Sequence, residues 1–114
     1  MLTASCHCQA VQISLDRMPA SVTRCTCSIC RRYAALWVYC TRATARLTRG
    51  ADALSKYKWN DEVIEFCFCR SCGCLTHYED VEKEADSRFA VNARMMAPAA
   101  IERVPVRTFD GAAM

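Results

Sequence analysis

Apolar residues along much of this chain recur at every second position, the period of a strand with one buried face. Val11, Ile13 and Leu15 alternate with Gln12 and Ser14. Residues 35–40, Ala-Leu-Trp-Val-Tyr-Cys, read as a short buried strand, and residues 45–48 as another that Gly50 stops. After a turn at Asp52, Ala53 and Leu54, Ser55, Tyr57 and Trp59 alternate with lysines. Beyond a turn at Asn60-Asp61, Ile64, Phe66 and Phe68 alternate with Val63, Glu65 and Cys67, so residues 54–69 are predicted as a β-hairpin. Residues 79–88 are almost wholly polar and are expected as an exposed loop, after which residues 89–95 return to alternation. A turn at 18–21, a helical turn at 28–33, a short helix at 98–103 and a last strand at 104–108 complete the reading. The pattern predicts a mainly β protein with one or two short helices, and 114 residues suit one domain spanning residues 1–114.

Composition changes this picture through ten cysteines. A core of this size often leans on a staple, and compartment decides between disulfides and metal ligands. Polar residues from Ser5 to Arg17 interrupt every apolar run near the start, so no signal peptide is expected. A cytoplasmic location with reduced thiols follows as an expectation, and no stretch suits a membrane helix. The net charge of +3 and pI of about 8.4 are spread along the chain without a basic block, so no nucleic-acid partner is expected.

Seven of the cysteines fall into three groups: Cys6/Cys8, Cys25/Cys27/Cys30 and Cys69/Cys72. C-x-C cannot close a disulfide without strain, so it reads as a metal half-site. The C-x2-C at Cys69 and Cys72 followed by Gly73 is the most specific local zinc signal, because two thiolates on a turn grip one ion and glycine lets the chain reverse. Seven sulfurs allow two arrangements. Cys6, Cys8, Cys69 and Cys72 can make a closed site that leaves Cys25, Cys27 and Cys30 with an open position; or Cys27/Cys30 can join Cys69/Cys72 in an ordinary zinc ribbon. The first predicts an enzyme, since catalytic zinc keeps a free position, and the second a non-catalytic module docking a protein or nucleic acid. Spacing does not choose between them.

The order S-C-H-C-x-A-V, C-T-C-S-I-C-R-R, F-C-R-S-C-G, F-A-V-N-A-R-M and V-R-T-F-D-G resembles the glutathione-dependent formaldehyde-activating enzyme family, which also includes centromere protein V. The resemblance spans nearly the whole chain. It implies a complex antiparallel β fold with two zinc ions, a structural one on Cys6, Cys8, Cys69 and Cys72 and a catalytic one on Cys25, Cys27 and Cys30. The implied activity is that of a carbon–sulfur lyase making or breaking S-(hydroxymethyl)glutathione, with glutathione and formaldehyde as partners. One departure stands out: relatives usually carry glycine after the first C-x-C, where this chain has Gln9.

Three thiolates on Zn²⁺ make a weak Lewis acid but a good seat for a fourth thiolate, so the expected role is to deprotonate and position a thiol. Arg24, Arg31 and Arg32 are the candidate partners for its carboxylates, against the plainer reading of solvated surface charges. Cys40, Cys67 and Cys74 are expected as small buried residues, with Cys74 a spare ligand. His7 is expected at the surface, and His77 within reach of a pocket. Trp37, Tyr39 and Trp59 are expected in the core, and Asn92 in a hydrogen-bonding role.

Overall fold

The computed structural model describes residues 2–59 and 62–113, so the expected Asn60-Asp61 turn lies outside the described residues. Strands β1 (Leu2–Ser5), β2 (Gln12–Leu15) and β5 (Ala45–Arg49) form a three-stranded antiparallel sheet in the order β1-β2-β5. A seven-stranded sheet takes β3 (Val22–Cys25), β4 (Trp37–Thr41), β6 (Leu54–Lys58), β7 (Ile64–Cys69), β8 (Leu75–Asp80), β9 (Arg88–Asn92) and β10 (Val106–Phe109). Its order is β10-β3-β4-β9-β8-β7-β6. Among the described residues the pairing is antiparallel except between β10 and β3, which run parallel with Phe109 opposite Cys25. Helices α1 (Ser28–Tyr33) and α2 (Pro98–Ile101) are short, as expected, and single 3₁₀ turns occupy Ala51–Ala53, Ala93–Met95 and Gly111–Ala113.

The large sheet is covered on both faces. On one, Val22, Val38, Phe89 and Val91 pack against Leu2, Ala4, Ile13 and Leu15 of the small sheet. Each valine, leucine, isoleucine or phenylalanine among them contributes roughly 1.5–3 kcal/mol when taken out of water. On the other, Trp37, Phe66 and Tyr78 form an aromatic cluster with ring centroids 4.8–6.3 Å apart, and Tyr33 of α1 closes on Phe66 at 5.9 Å.

The expected hairpin at 54–69 is β6 paired with β7. The expected loop at 79–88 needs correction, because Glu79 and Asp80 belong to β8 and Glu79 is buried. β8 itself escapes a reading by periodicity, since Leu75, Thr76, His77, Tyr78 and Glu79 are all buried and the strand has no solvent face to alternate with. α2 stops two residues short of the expected helix, and β10 begins two residues after the expected strand start.

Candidate metal centres

The turn from β1 to β2 carries Cys6 and Cys8, and the end of β7 with the turn after it carries Cys69 and Cys72. Sγ of Cys8 lies 3.7 Å from Sγ of Cys6 and 3.6 Å from Sγ of Cys69. A tetrahedron of sulfurs about 2.3 Å from one zinc has edges of about 3.8 Å, so the four residues fit a closed zinc site. Backbone donors are aimed at the sulfurs as a thiolate site requires: Val11 N–H on Cys6 at 3.3 Å, Ser71 and Cys72 N–H on Cys69 at 3.4 and 3.5 Å. The backbone N–H groups of Cys8 and Cys74 hold the Cys72 thiol down at about 5. At Cys8 the Ala10 N–H favours ionisation, but the neighbouring Cys69 sulfur, partial desolvation and the Cys6 and Cys72 sulfurs together push the thiol up to about 11. Crowded thiols that divide their protons so unequally are what a shared cation relieves.

Two backbone positions make the cluster reachable. Gly73 has φ of 79°, reverses the chain after Cys72 and donates its N–H to Cys69 O at 2.8 Å. Gln9 has φ of 67° and donates its N–H to Cys6 O at 3.1 Å, so the residue that stands in place of glycine adopts the conformation glycine prefers. A left-handed L-residue costs about 1–2 kcal/mol, while glycine returns part of that as unfolded-state entropy. Gln9→Gly is therefore expected to stabilise the protein by about 0.5–1 kcal/mol, read as a higher melting temperature of the zinc-loaded form. A lower melting temperature would show that Gln9 bears no strain.

The cysteine trio is built where β3 meets α1. Cys25 ends β3, Cys27 is the N-cap of α1 with its Sγ accepting the Cys30 N–H at 3.4 Å, and Cys30 is buried in the first turn. The three sulfurs lie within 4.8 Å of one another, a donor set that suits zinc. Burial pushes the Cys25 and Cys30 thiols up. Burial acts in the same direction on Cys27, but the N–H groups of Cys30 and Ile29 and the adjacent thiols outweigh it, and Cys27 is lowered. The C-terminal segment closes over this loop. Thr26 takes Phe109 O at 3.0 Å through its N–H and Asp110 Oδ1 at 2.8 Å through its hydroxyl. A Cβ on Gly111 would stand 2.8 Å from Cys25 Sγ and 2.9 Å from Cys27 Cβ, so only glycine fits against the trio. That explains the F-D-G motif, which sequence reading used for resemblance alone.

Above the trio opens a cavity of about 330 Å³ walled by Trp37, Phe66, Tyr78, Tyr39, Trp59 and Phe109. A larger cleft of about 470 Å³, around Met18, Tyr39 and Arg107, holds none of the clustered sulfurs and has no comparable chemistry. The buried Trp37 indole N–H favours the ionised Cys30 sulfur. Arg88 is the cation on the cavity wall. Its guanidinium lies 4.8 Å from the Tyr39 ring centroid and 3.5 Å from the Tyr78 hydroxyl, with no carboxylate at ion-pair distance among the described residues.

A family model for the glutathione-dependent formaldehyde-activating enzyme matches residues 1–106 of this sequence. The chain belongs to this family. A crystal structure of a Rhodobacter sphaeroides protein is also similar, at 31% identity and a TM-score of 0.74, covering 92% of this chain and 99% of that one. Membership in the formaldehyde-activating family and the two cysteine clusters, four sulfurs and three, are consistent with zinc binding.

Within this family member, sequence expectation and placement differ at several residues. Arg24 donates to Thr108 Oγ1 at 3.1 Å on the exposed side of β3, and Arg31 is an exposed residue in the last turn of α1. Arg32 donates to Ser28 O at 2.7 Å and lines an adjoining groove with Tyr57 and Trp59. None of the three lines the cavity over the trio, which Arg88 enters instead from β9. Trp37 is buried as expected, but Tyr39 and Trp59 are exposed wall residues rather than core. Cys67 is buried, whereas Cys40 and Cys74 are only partly so, and Cys74 is not in the four-sulfur group. His7 is exposed. Asn92 accepts from the N–H groups of Leu36 and Arg94 and donates to Leu75 O, which makes it a clamp between strands. His77 does not reach the cavity, because it lies on the opposite sheet face from Tyr78.

No helix among the described residues is long and apolar enough to cross a membrane.

Proposed function

We propose that the protein is a zinc-dependent carbon–sulfur lyase of the S-(hydroxymethyl)glutathione synthase type, binding glutathione or a related small thiol and forming or breaking its adduct with formaldehyde or a similar aldehyde. One observation carries this reading: three sulfurs at the floor of an open cavity, set apart from four that form their own closed group. Zinc on Cys25, Cys27 and Cys30 would supply a vacant position for a fourth sulfur and lower the proton affinity of the thiol that occupies it. The residues around that position do the rest. Trp37, Phe66 and Tyr78 keep water from one side of the reacting carbon, and Arg88 offers a charge to a carboxylate of the thiol. Cys6, Cys8, Cys69 and Cys72 would hold the second, structural zinc. All ten cysteines are free thiols, so the seven clustered ones are available to an ion.

Glutathione titrated into the cobalt-substituted protein tests the reading. The expected result is a change in thiolate-to-metal absorption together with faster aldehyde–glutathione exchange. No change in either would sink the proposal.

Arg88 provides a sharper check. A charged hydrogen bond contributes about 1.5–3 kcal/mol when buried and less at a partly exposed wall, so Arg88→Gln is expected to raise KM for glutathione about 10-fold. Because the charge lies away from the reacting carbon, kcat should stay nearly constant. KM for cysteamine, which has no carboxylate, should not move. Equal changes for both thiols would remove Arg88 from carboxylate recognition.

A further inference from the structure

The sheet face opposite the cysteine trio carries a second kind of cluster. Register sets Cys67 of β7 directly opposite His77 of β8, and Glu65 directly opposite Glu79. Cys67, His77 and Glu79 are all buried, and their ligating atoms lie within 4.8 Å of one another. By sequence, Cys67 is expected as a packing residue and His77 within reach of a pocket. Alternation brings them together because both point away from Phe66 and Tyr78.

The hydrogen bonds fix which histidine nitrogen is free. The Thr76 hydroxyl donates its one proton to Cys67 O at 3.2 Å, so at its 2.9 Å contact with His77 Nδ1 it must accept. Nδ1 therefore carries a hydrogen, and Nε2 of the neutral ring presents a lone pair. That atom has no hydrogen-bond partner among the described residues, although His77 is 0% exposed. Stacking on Phe89, with centroids 4.7 Å apart and planes 8° apart, holds the ring plane, and the Thr76 contact at Nδ1 sets which edge faces Glu79. Nε2 faces Glu79 Oε2 at 3.6 Å, while the other carboxylate oxygen takes Arg42 at 2.7 Å.

Two lone-pair atoms are thus held face to face in the protein interior. The 3.6 Å gap is too long for an N–H···O bond. It is close to the edge of about 3.3 Å expected for nitrogen and oxygen each about 2.0–2.1 Å from a tetrahedral zinc. The orientation of Nδ1–H onto a hydroxyl is also what a metal-ligating histidine uses to hold its tautomer. We propose that Cys67, His77 and Glu79 form a third metal site, which takes one divalent cation of the zinc class and leaves a fourth position for water.

Charge is compatible with this. Glu65 is already neutralised by Lys83 at 2.6 Å and Lys56 at 3.2 Å, and Glu79 by Arg42. Binding a divalent ion while releasing the Cys67 thiol proton adds a single positive charge, the same as protonating His77. Access runs past Arg42, whose side chain is 38% exposed and caps the carboxylate of Glu79.

Native mass spectrometry of the zinc-saturated protein counts the ions. Wild type is expected to carry one ion more than His77→Gln and one more than Cys67→Ser, while Arg88→Gln keeps the wild-type number. Equal counts for wild type and the folded variants would overturn the site. Cys67→Ser changes volume least, so it decides the matter should His77→Gln fail to fold. The count is independent of activity and of the role assigned to Cys25, Cys27 and Cys30.

Discussion

Cys69→Ala is expected to unfold the protein. Cys69 is 0% exposed, ends β7 and packs in a small cluster with Cys6 and Val11, so its sulfur joins the β1–β2 turn of the small sheet to the β7–β8 turn of the large one. Among the described residues, the buried members of that cluster are Cys6, Val11 and Cys69, with Leu47, Leu54 and others only partly buried around them. Structural zinc contributes about 10–16 kcal/mol of apparent binding energy in small zinc-dependent domains, comparable to the whole stability of about 5–15 kcal/mol of an ordinary domain. With zinc on the four sulfurs as proposed, removing Cys69 would give up much of that, and it also leaves the Ser71 and Cys72 N–H groups without the sulfur that accepts them. Near-UV circular dichroism of Cys69→Ala should lose its native signal, and heating should show no cooperative transition. A chelator strong enough to strip both ions from wild type should give the same spectrum. A Cys69→Ala protein that melts within a few degrees of wild type would show that this cluster does not hold the fold together.

The contrast between what sequence revealed and what it hid has a physical basis in the individual strands. Ile13 and Leu15 were legible because they point from β2 into the core against the large sheet, so the apolar residues follow the two-residue period even though the serine between them, Ser14, is buried too. β8 was hidden because both of its faces are buried, one by aromatic rings and the other by Cys67, Glu65 and their countercharges. A polar residue there signals a buried network, not a solvent face. The metal-ligand groupings were legible for a different reason: C-x-C and C-x2-C spacing is local, and Gly73 behaves as its motif implies. Cavity walls lack such a local code. Arg24, Arg31 and Arg32 adjoin the trio in sequence, yet β3 and α1 carry them outward, while Arg88 reaches the cavity from β9, which is separated from β3 in the sheet by β4 alone. Nearness in sequence grouped the clustered sulfurs and did not place the residues that wall the cavity.

The second large effect concerns activity without unfolding. Cys27→Ala should leave a folded protein that no longer exchanges formaldehyde with glutathione. Cys27 sits at the mouth of the trio, partly exposed, and its contribution to the fold is the N-cap contact with the Cys30 N–H at 3.4 Å. Losing a cap costs about 1 kcal/mol, which for a domain of this size lowers the melting temperature by about 4 °C. The chemical loss is larger. Of the three thiols Cys27 is the one whose surroundings favour the thiolate, and without it only the two raised thiols, Cys25 and Cys30, face the cavity. Even outer contacts to a metal site change affinity or activity 10–100-fold, so loss of a direct ligand should lower the exchange rate by about 100-fold or more. Exchange spectroscopy on labelled formaldehyde with glutathione measures the rate, and circular dichroism on the same sample establishes the fold. Retained exchange would remove the trio from the chemistry. Failure to fold would instead make it a structural site, and the protein a binding module with both zincs closed to substrate.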